Sequence, residues 1–139
     1  MAAVDVFVDT SGFLALWDQA DEHHRAAVRL QNDLAREHRR FLTTDYILDE
    51  AATLLRMRHS HAAAIDFLDA TQRSQALRLV WVDPERFSAA SSWFRRYADK
   101  DWSFTDCVSF VVMHELKMGD AFTTDHHFAQ AGFTVLLRA

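Results

Sequence analysis

Glycine and proline are scarce in this 139-residue chain, with three of the first and one of the second. Long irregular loops lack their usual material, so short connections are expected. The single cysteine, Cys107, excludes an internal disulfide and fits a reducing compartment. No apolar stretch approaches the roughly 20 residues of a membrane span. The first residues show no basic segment leading into a long apolar one, so no secretory leader is expected. Lysine is nearly missing, with Lys100 and Lys117 the two examples. These absences point to a cytoplasmic protein without a membrane span. At this length one domain with a real core, residues 1–139, is expected.

The net charge of −5, from 15 basic and 20 acidic residues, argues against a surface that coats polyanions in general. The acid is uneven. Residues 1–70 carry 7 Arg against 12 Asp and Glu, a net of −5, while residues 71–139 balance 8 against 8. If a few carboxylates cluster around a cation, the remaining surface is near neutral, which leaves a nucleic-acid substrate open.

Apolar β-rich runs alternate with helical ones. Strands are expected at 4–8, 40–44 (RFLTT), 76–82 (ALRLVWV), 121–124 (AFTT) and 133–137 (FTVLL). Helices are expected at 23–40, with Ala27, Leu30 and Leu34 on one stripe, at 45–58 opened by Asp45, and at 61–74. Another begins at Pro84, after Asp83, and a mostly apolar one runs over 103–118 to end at Gly119. This alternation implies right-handed crossovers and a three-layer α/β/α fold, with a central, mostly parallel sheet of about five strands.

Acids recur where strands end. FVDTS leaves the first strand at Asp9. FLTTDYILDE leaves the second at Thr44 and carries Asp45, Asp49 and Glu50. AFTTDHHF places Asp125 after the fourth, and DWSFTDC sets Asp106 at the head of the apolar helix. Helix capping accounts for any one of them. In an open parallel sheet, however, ligands bind outside the carboxyl ends of the strands, and all four groups are expected there. Converging carboxylates repel, and a cation is the usual remedy. Within the second group Asp45 reads as the N-cap and Asp49 as solvated, while the longer arm of Glu50 can reach the edge. In the third, Asp106 stands closer to the helix start than Asp101, which remains a water-mediated second choice. Oxygen donors without cysteine favour Mg²⁺ or Mn²⁺. Such an ion lowers the pKa of a bound water and can align it on a phosphodiester.

VFVDTSGFLAL, TTDYILDEAATLL, DWSFTDCVSFVVM and AFTTDHHFAQAGF, in this order and spacing, resemble a PIN domain of the VapC toxin type. The resemblance spans nearly the whole chain. It implies a metal-dependent ribonuclease, the toxin of a toxin–antitoxin pair, with its acids on Asp9, Glu50, Asp106 and Asp125. Thr10 and Ser11 follow the first acid as hydroxyls do in the family. With Asp101 and Thr105 they are the candidate supporting residues. The resemblance also implies an RNA substrate, an antitoxin partner and a homodimer. A groove framed by the Ala27–Leu30–Leu34 stripe and helix 45–58 is expected to take an antitoxin helix.

Other readings are weaker. Eight histidines, including HH at 23–24, HSH at 59–61 and HH at 126–127, invite zinc, but no cysteine partners them. His126 is expected at the site edge. Trp102, Phe104, Trp17, Trp81 and Trp93 read as core. Arg25, Arg29, Arg36, Arg39 and Arg40 read as a solvated helix face before a phosphate track. A signalling receiver lacks its late-strand lysine, and a phosphatase of the Asp-x-Asp type fails because Asp5 and Asp9 are four apart. The standing alternative is a non-catalytic RNA- or protein-binding module on the same fold.

Overall fold

The structure, a computed structural model, describes residues 5–138. Five strands, β1 (Val6–Val8), β2 (Phe41–Thr44), β3 (Leu77–Val80), β4 (Asp120–Phe122) and β5 (Thr134–Val135), pair in the order β3-β2-β1-β4-β5. Every pairing is parallel, with Phe7 opposite both Leu42 and Ala121. The expected parallel five-stranded sheet is therefore present, with strands shorter than the apolar runs suggested. Val4 lies outside the described residues.

Between the strands lie α1 (Thr10–Trp17), α2 (His24–Arg36), α3 (Asp45–Arg58), α4 (His61–Arg73), α5 (Pro84–Arg96), α6 (Phe104–Glu115) and α7 (His126–Gln130). β1, β2 and β3 step toward one edge of the sheet, whereas the β3-to-β4 and β4-to-β5 connections step the other way. Right-handed crossovers then put α1–α4 on one face and α5–α7 on the other. The packing agrees, because α1 rests on α2 and α3, α3 on α4, α5 on α6, and α6 on α7.

The central strand β1 is wholly buried, as residues on an inner parallel strand covered on both faces should be. Helix α6 buries Cys107 through Met113 without interruption, which explains its lack of an amphipathic period. Phe110 is its anchor. Its ring meets Trp102 at 4.9 Å, Phe128 at 5.0 Å and Phe133 at 5.8 Å. Phe128 also reaches Phe7 of β1 at 6.2 Å. The short helix α7 is thus pinned to the core by one residue, three places after Asp125.

Three helix ends use left-handed backbone. Gly132 takes it at φ 97°, and so do His38 at 59° and Lys117 at 57°. In each case the next N–H reaches back to the helix, as when Met118 N donates to Met113 O at 2.8 Å. Helix α6 therefore ends at Glu115 on the Lys117 turn, and Gly119 is not its stop. With so little glycine, ordinary residues carry a turn that glycine adopts more cheaply.

Several other expectations change. Thr44, not Asp45, caps α3, accepting from Ile47 N at 3.3 Å, while Asp45 accepts from Val82 N at 2.8 Å and ties α3 to the end of β3. Ala27 and Leu34 are buried and Leu30 packs against the core, so the stripe on α2 is spent inside the fold and forms no antitoxin groove. Trp81, just past the end of β3, is 66 % exposed, and Trp17, the last residue of α1, 39 %. Trp102 is core, as expected, and donates from Nε1 to Gln130 Oε1 at 3.1 Å. Arg39 leaves the solvated face and pairs with Asp120 at 2.7 Å. Helices α1 and α7 were not expected, since eight and five residues are too few to show a period.

Gly12 lets α1 lie directly on β4. A Cβ there would stand 2.1 Å from the Phe122 carbonyl oxygen and 2.8 Å from its ring. Backbone cannot yield as a flexible side chain can. Gly12→Ala is expected to cost about 3 kcal/mol in urea unfolding, as overpacking does, despite alanine's better helix propensity. Unchanged stability would mean that α1 can move off the strand.

Candidate active site

Asp9 follows β1 and caps α1, its Oδ1 accepting from Gly12 N at 3.0 Å. It is 5 % exposed. Ser11 Oγ donates to the same oxygen at 2.8 Å. Ser11 also receives Thr124 N at 3.0 Å and lies 3.0 Å from Thr123 Oγ1, which in turn receives Asp125 N at 2.9 Å. A hydroxyl relay thus joins the ends of β1 and β4. Thr10 Oγ1 donates to Glu50 Oε1, which brings α3 to the same place.

Asp106 belongs to a capping box at the start of α6. Ser103 Oγ accepts from Asp106 N at 3.0 Å, and Asp106 Oδ2 accepts from Ser103 N at 3.1 Å. Asp125 caps α7 through His127 N at 2.9 Å. The His127 ring stands between two of the acids, its Nδ1 3.2 Å from Asp106 Oδ2 and 3.3 Å from Asp125 Oδ1. Thr105 and Glu50 line one cavity with Tyr46, Asp49, Thr53 and Leu54, of about 370 Å³.

The charges feel each other. Burial, and more weakly the charge of Asp125, push Asp9 up to about 7, against the hydrogen bonds from Gly12, Ser11 and Thr123. Burial also raises Asp106, as does Asp125, with Ser103 N–H and His127 acting the other way. Capping and clustering are therefore not rivals. The helix starts that need an acceptor stand at the sheet edge where the acids converge, so one carboxylate does both.

Asp9, Glu50, Asp106 and Asp125 all stand at this edge, with Thr10, Ser11 and Thr105 beside them. Asp101 is exposed, and among the described residues no hydrogen bond or ion pair joins it to the group. Asp49 is exposed, as expected, although it shares the Glu50 cavity wall. Sequence reasoning missed Thr123 and His127. The repeat of Thr-Thr-Asp at 43–45 and 123–125 is a trace of the first. The second needed the placement of α7, because His126, not His127, is the adjacent residue and it faces solvent at 75 %.

A family model for the PIN domain matches residues 6–134. The chain belongs to the PIN domain family. A 23S rRNA-specific endonuclease, VapC20 of Mycobacterium tuberculosis, is 34 % identical over 128 residues, 92 % of this chain and 95 % of the relative. A VapC ribonuclease of Archaeoglobus fulgidus is 32 % identical over 113 residues, 80 % of this chain and 71 % of the relative. The crystal structure of the mycobacterial VapC20, described as a sarcin-ricin loop cleaving toxin, superposes with a TM-score of 0.88. It is 32 % identical and covers 96 % of this chain and 99 % of that one. The PIN fold expected from the motifs is thus present over residues 6–134.

The raised Asp9 has a measurable consequence. Unfolded, it ionises near its ordinary value of about 3.9. Below pH 4 both states hold the proton and nothing is lost. From about pH 4 to 7 the unfolded state releases its proton first, so without metal Asp9 makes the fold less stable as pH rises, levelling off above 7. In EDTA, Asp9→Asn is expected to gain about 2.5 kcal/mol of stability relative to wild type between pH 5 and pH 8, out of about 4 kcal/mol over the whole titration. Chemical denaturation at both pH values measures it. A constant difference between the two proteins would show Asp9 to be solvated.

Proposed function

We propose that the chain is an endoribonuclease toxin of the VapC type whose acidic edge, Asp9, Glu50, Asp106 and Asp125, holds Mg²⁺ or Mn²⁺ and hydrolyses RNA phosphodiesters. The observation that carries the reading is the convergence of carboxylates from four separate elements on the C-terminal edge of a parallel sheet, in a PIN domain. The donor set suits a hard dication. Its candidate ligands are oxygens, and Asp9 is buried where ionisation is costly unless a cation shares the space. When bound, the ion would supply a water of lowered pKa and neutralise charge that develops on the phosphate.

The chain's own residues have separate tasks in this reading. Asp9 is fixed by Gly12 and Ser11, so its free oxygen has one direction. Thr10 holds Glu50 toward the edge. His127 keeps Asp106 and Asp125 together by placing one ring nitrogen between them. A structured RNA loop fits the relatives' named substrates, 23S rRNA and its sarcin-ricin loop, and is the substrate to try first. Ribosomal RNA would put the protein in the cytoplasm. No helix among the described residues is long and apolar enough to cross a membrane.

A cognate antitoxin and a second copy of the chain are the proposed protein partners. Phe87 and Phe94 are exposed and both pack on Phe104 of α6, forming an aromatic strip close to Asp106. Met57, on α3, is 75 % exposed. Such side chains are the usual anchors of an interface.

In a sarcin-ricin hairpin assay with Mg²⁺ or Mn²⁺, Asp9→Asn is expected to fold yet lose cleavage about a hundredfold or more. Asparagine still caps α1 but lacks the charge a hard dication needs. Glu50→Gln and Asp125→Asn should lose similar amounts, and the double variants little more, because the acids act as one unit. EDTA should abolish wild-type cleavage. Full activity in folded Asp9→Asn would return that residue to capping alone. Metal-independent RNA binding without cleavage of this or other structured RNAs would make the chain a binding module.

A further inference from the structure

Two imidazoles stand beside the acids, and the all-oxygen site uses neither as a ligand. One ring nitrogen from each of His126 and His127 and one carboxylate oxygen of Asp125 lie within 4.8 Å of one another. The two ring centroids are 4.4 Å apart. His127 is only 19 % exposed and is already oriented by Asp106, whereas His126 is free to turn in solvent at 75 %. We propose that Asp125, His126 and His127 form a second metal site that takes a borderline transition-metal ion such as Zn²⁺, and that filling it inhibits the nuclease.

Donor chemistry separates the two sites. Carboxylates alone suit Mg²⁺, while two imidazoles and a carboxylate suit Zn²⁺, which binds His nitrogen at about 2.0–2.1 Å. Ligand atoms around a tetrahedral ion are then about 3.4 Å apart. The three donor atoms already lie within 4.8 Å of one another, and the solvent-exposed His126 ring has room to adjust. Asp106 Oδ2 faces the same His127 nitrogen, Nδ1, that Asp125 faces, at 3.2 Å against 3.3 Å, so an ion bound there displaces the Asp106 contact. A cavity of about 410 Å³, lined by His126, His23, Thr124 and Arg138, gives access from solvent and room for a water as fourth ligand.

The other histidine pairs are less suited. His59 Nε2 lies 3.0 Å from Asp18, but Arg58 already shares that carboxylate at 3.7 Å. His24 Nδ1 is bound to the Ala15 carbonyl at 2.8 Å.

Inhibition follows from sharing. An ion held by Asp125 and His127 takes both from Asp106 and from the edge they complete. This half of the proposal rests on the catalytic role given to Asp125 above, whereas binding itself does not.

Co²⁺, whose visible absorption reports imidazole coordination, is the probe, in excess Mg²⁺ at pH 7.5. Wild type is expected to take one Co²⁺ that Zn²⁺ displaces. His126→Asn, a change at a solvent-facing ring, should weaken uptake by at least about tenfold. Its Mg²⁺-driven cleavage should match wild type, while the Zn²⁺ needed for half-inhibition rises by a similar factor. No Co²⁺ spectrum in wild type, or equal uptake by His126→Asn, would overturn the site. Equal Zn²⁺ inhibition of both proteins would overturn the inhibitory role. His126-dependent uptake that leaves cleavage untouched would keep the site and remove Asp125 from the reaction.

Discussion

A carboxylate buried at the end of the central strand governs the architecture around it. Asp9 stands where β1 stops and α1 starts, out of contact with most solvent, with its proton held up to about pH 7. Burying a charge is tolerable only if hydrogen bonds and counter-charge replace the lost water. Part of the compensation is built in, since Gly12 N–H and the Ser11 hydroxyl both point at one oxygen. The remainder is left open, with the like charge of Asp125 nearby. In the proposed reading, the uncompensated remainder is where a cation would sit.

The rest of the molecule can be understood as what holds that edge together against its own repulsion. Gly12 allows α1 to touch the backbone of β4, so that Ser11 and Thr123 can meet. Phe128 anchors α7 to Phe110 and Phe7, and His127 beside it stands between Asp106 and Asp125. The uninterrupted burial of α6 presses its N-terminus, and with it Asp106, against the sheet end. Hydrophobic packing is non-directional, yet here it aims polar groups, because each anchor sits within three residues of the group it places.

The three helix-start acids show why capping and a shared acidic site are hard to separate from sequence alone. An N-terminal turn has free N–H groups that favour negative charge. In a parallel sheet, helices on the C-terminal side all begin at the same edge. A carboxylate that caps such a helix is therefore already in position to meet the others, as Asp9, Asp106 and Asp125 do. Asp45 is the instructive exception. It follows a strand and begins a helix, but Thr44 takes the cap and Asp45 turns aside to the Val82 N–H.

How far the chain could be read without coordinates follows from what each feature depends on. Strand–helix alternation, the parallel sheet, the burial of α6 and the edge occupied by Asp9, Glu50, Asp106 and Asp125 are consequences of local pattern: period, caps and the end of a strand. These the amino-acid sequence by itself determined. Strand lengths, the α6 stop at Lys117 and the two short helices were not legible, because neighbouring elements, not periodicity, decide where they end. The Leu30 stripe was legible as apolar but not as covered, since one amphipathic face serves a core and a partner equally well. The Asp9–Ser11–Thr123 relay, the clasp of Thr10 on Glu50 and the His127 ring between two carboxylates join residues 21 to 112 positions apart. Only the tertiary structure decided them, because hydrogen bonds of that span depend on how closely α1, α3, α6 and α7 pack against the sheet.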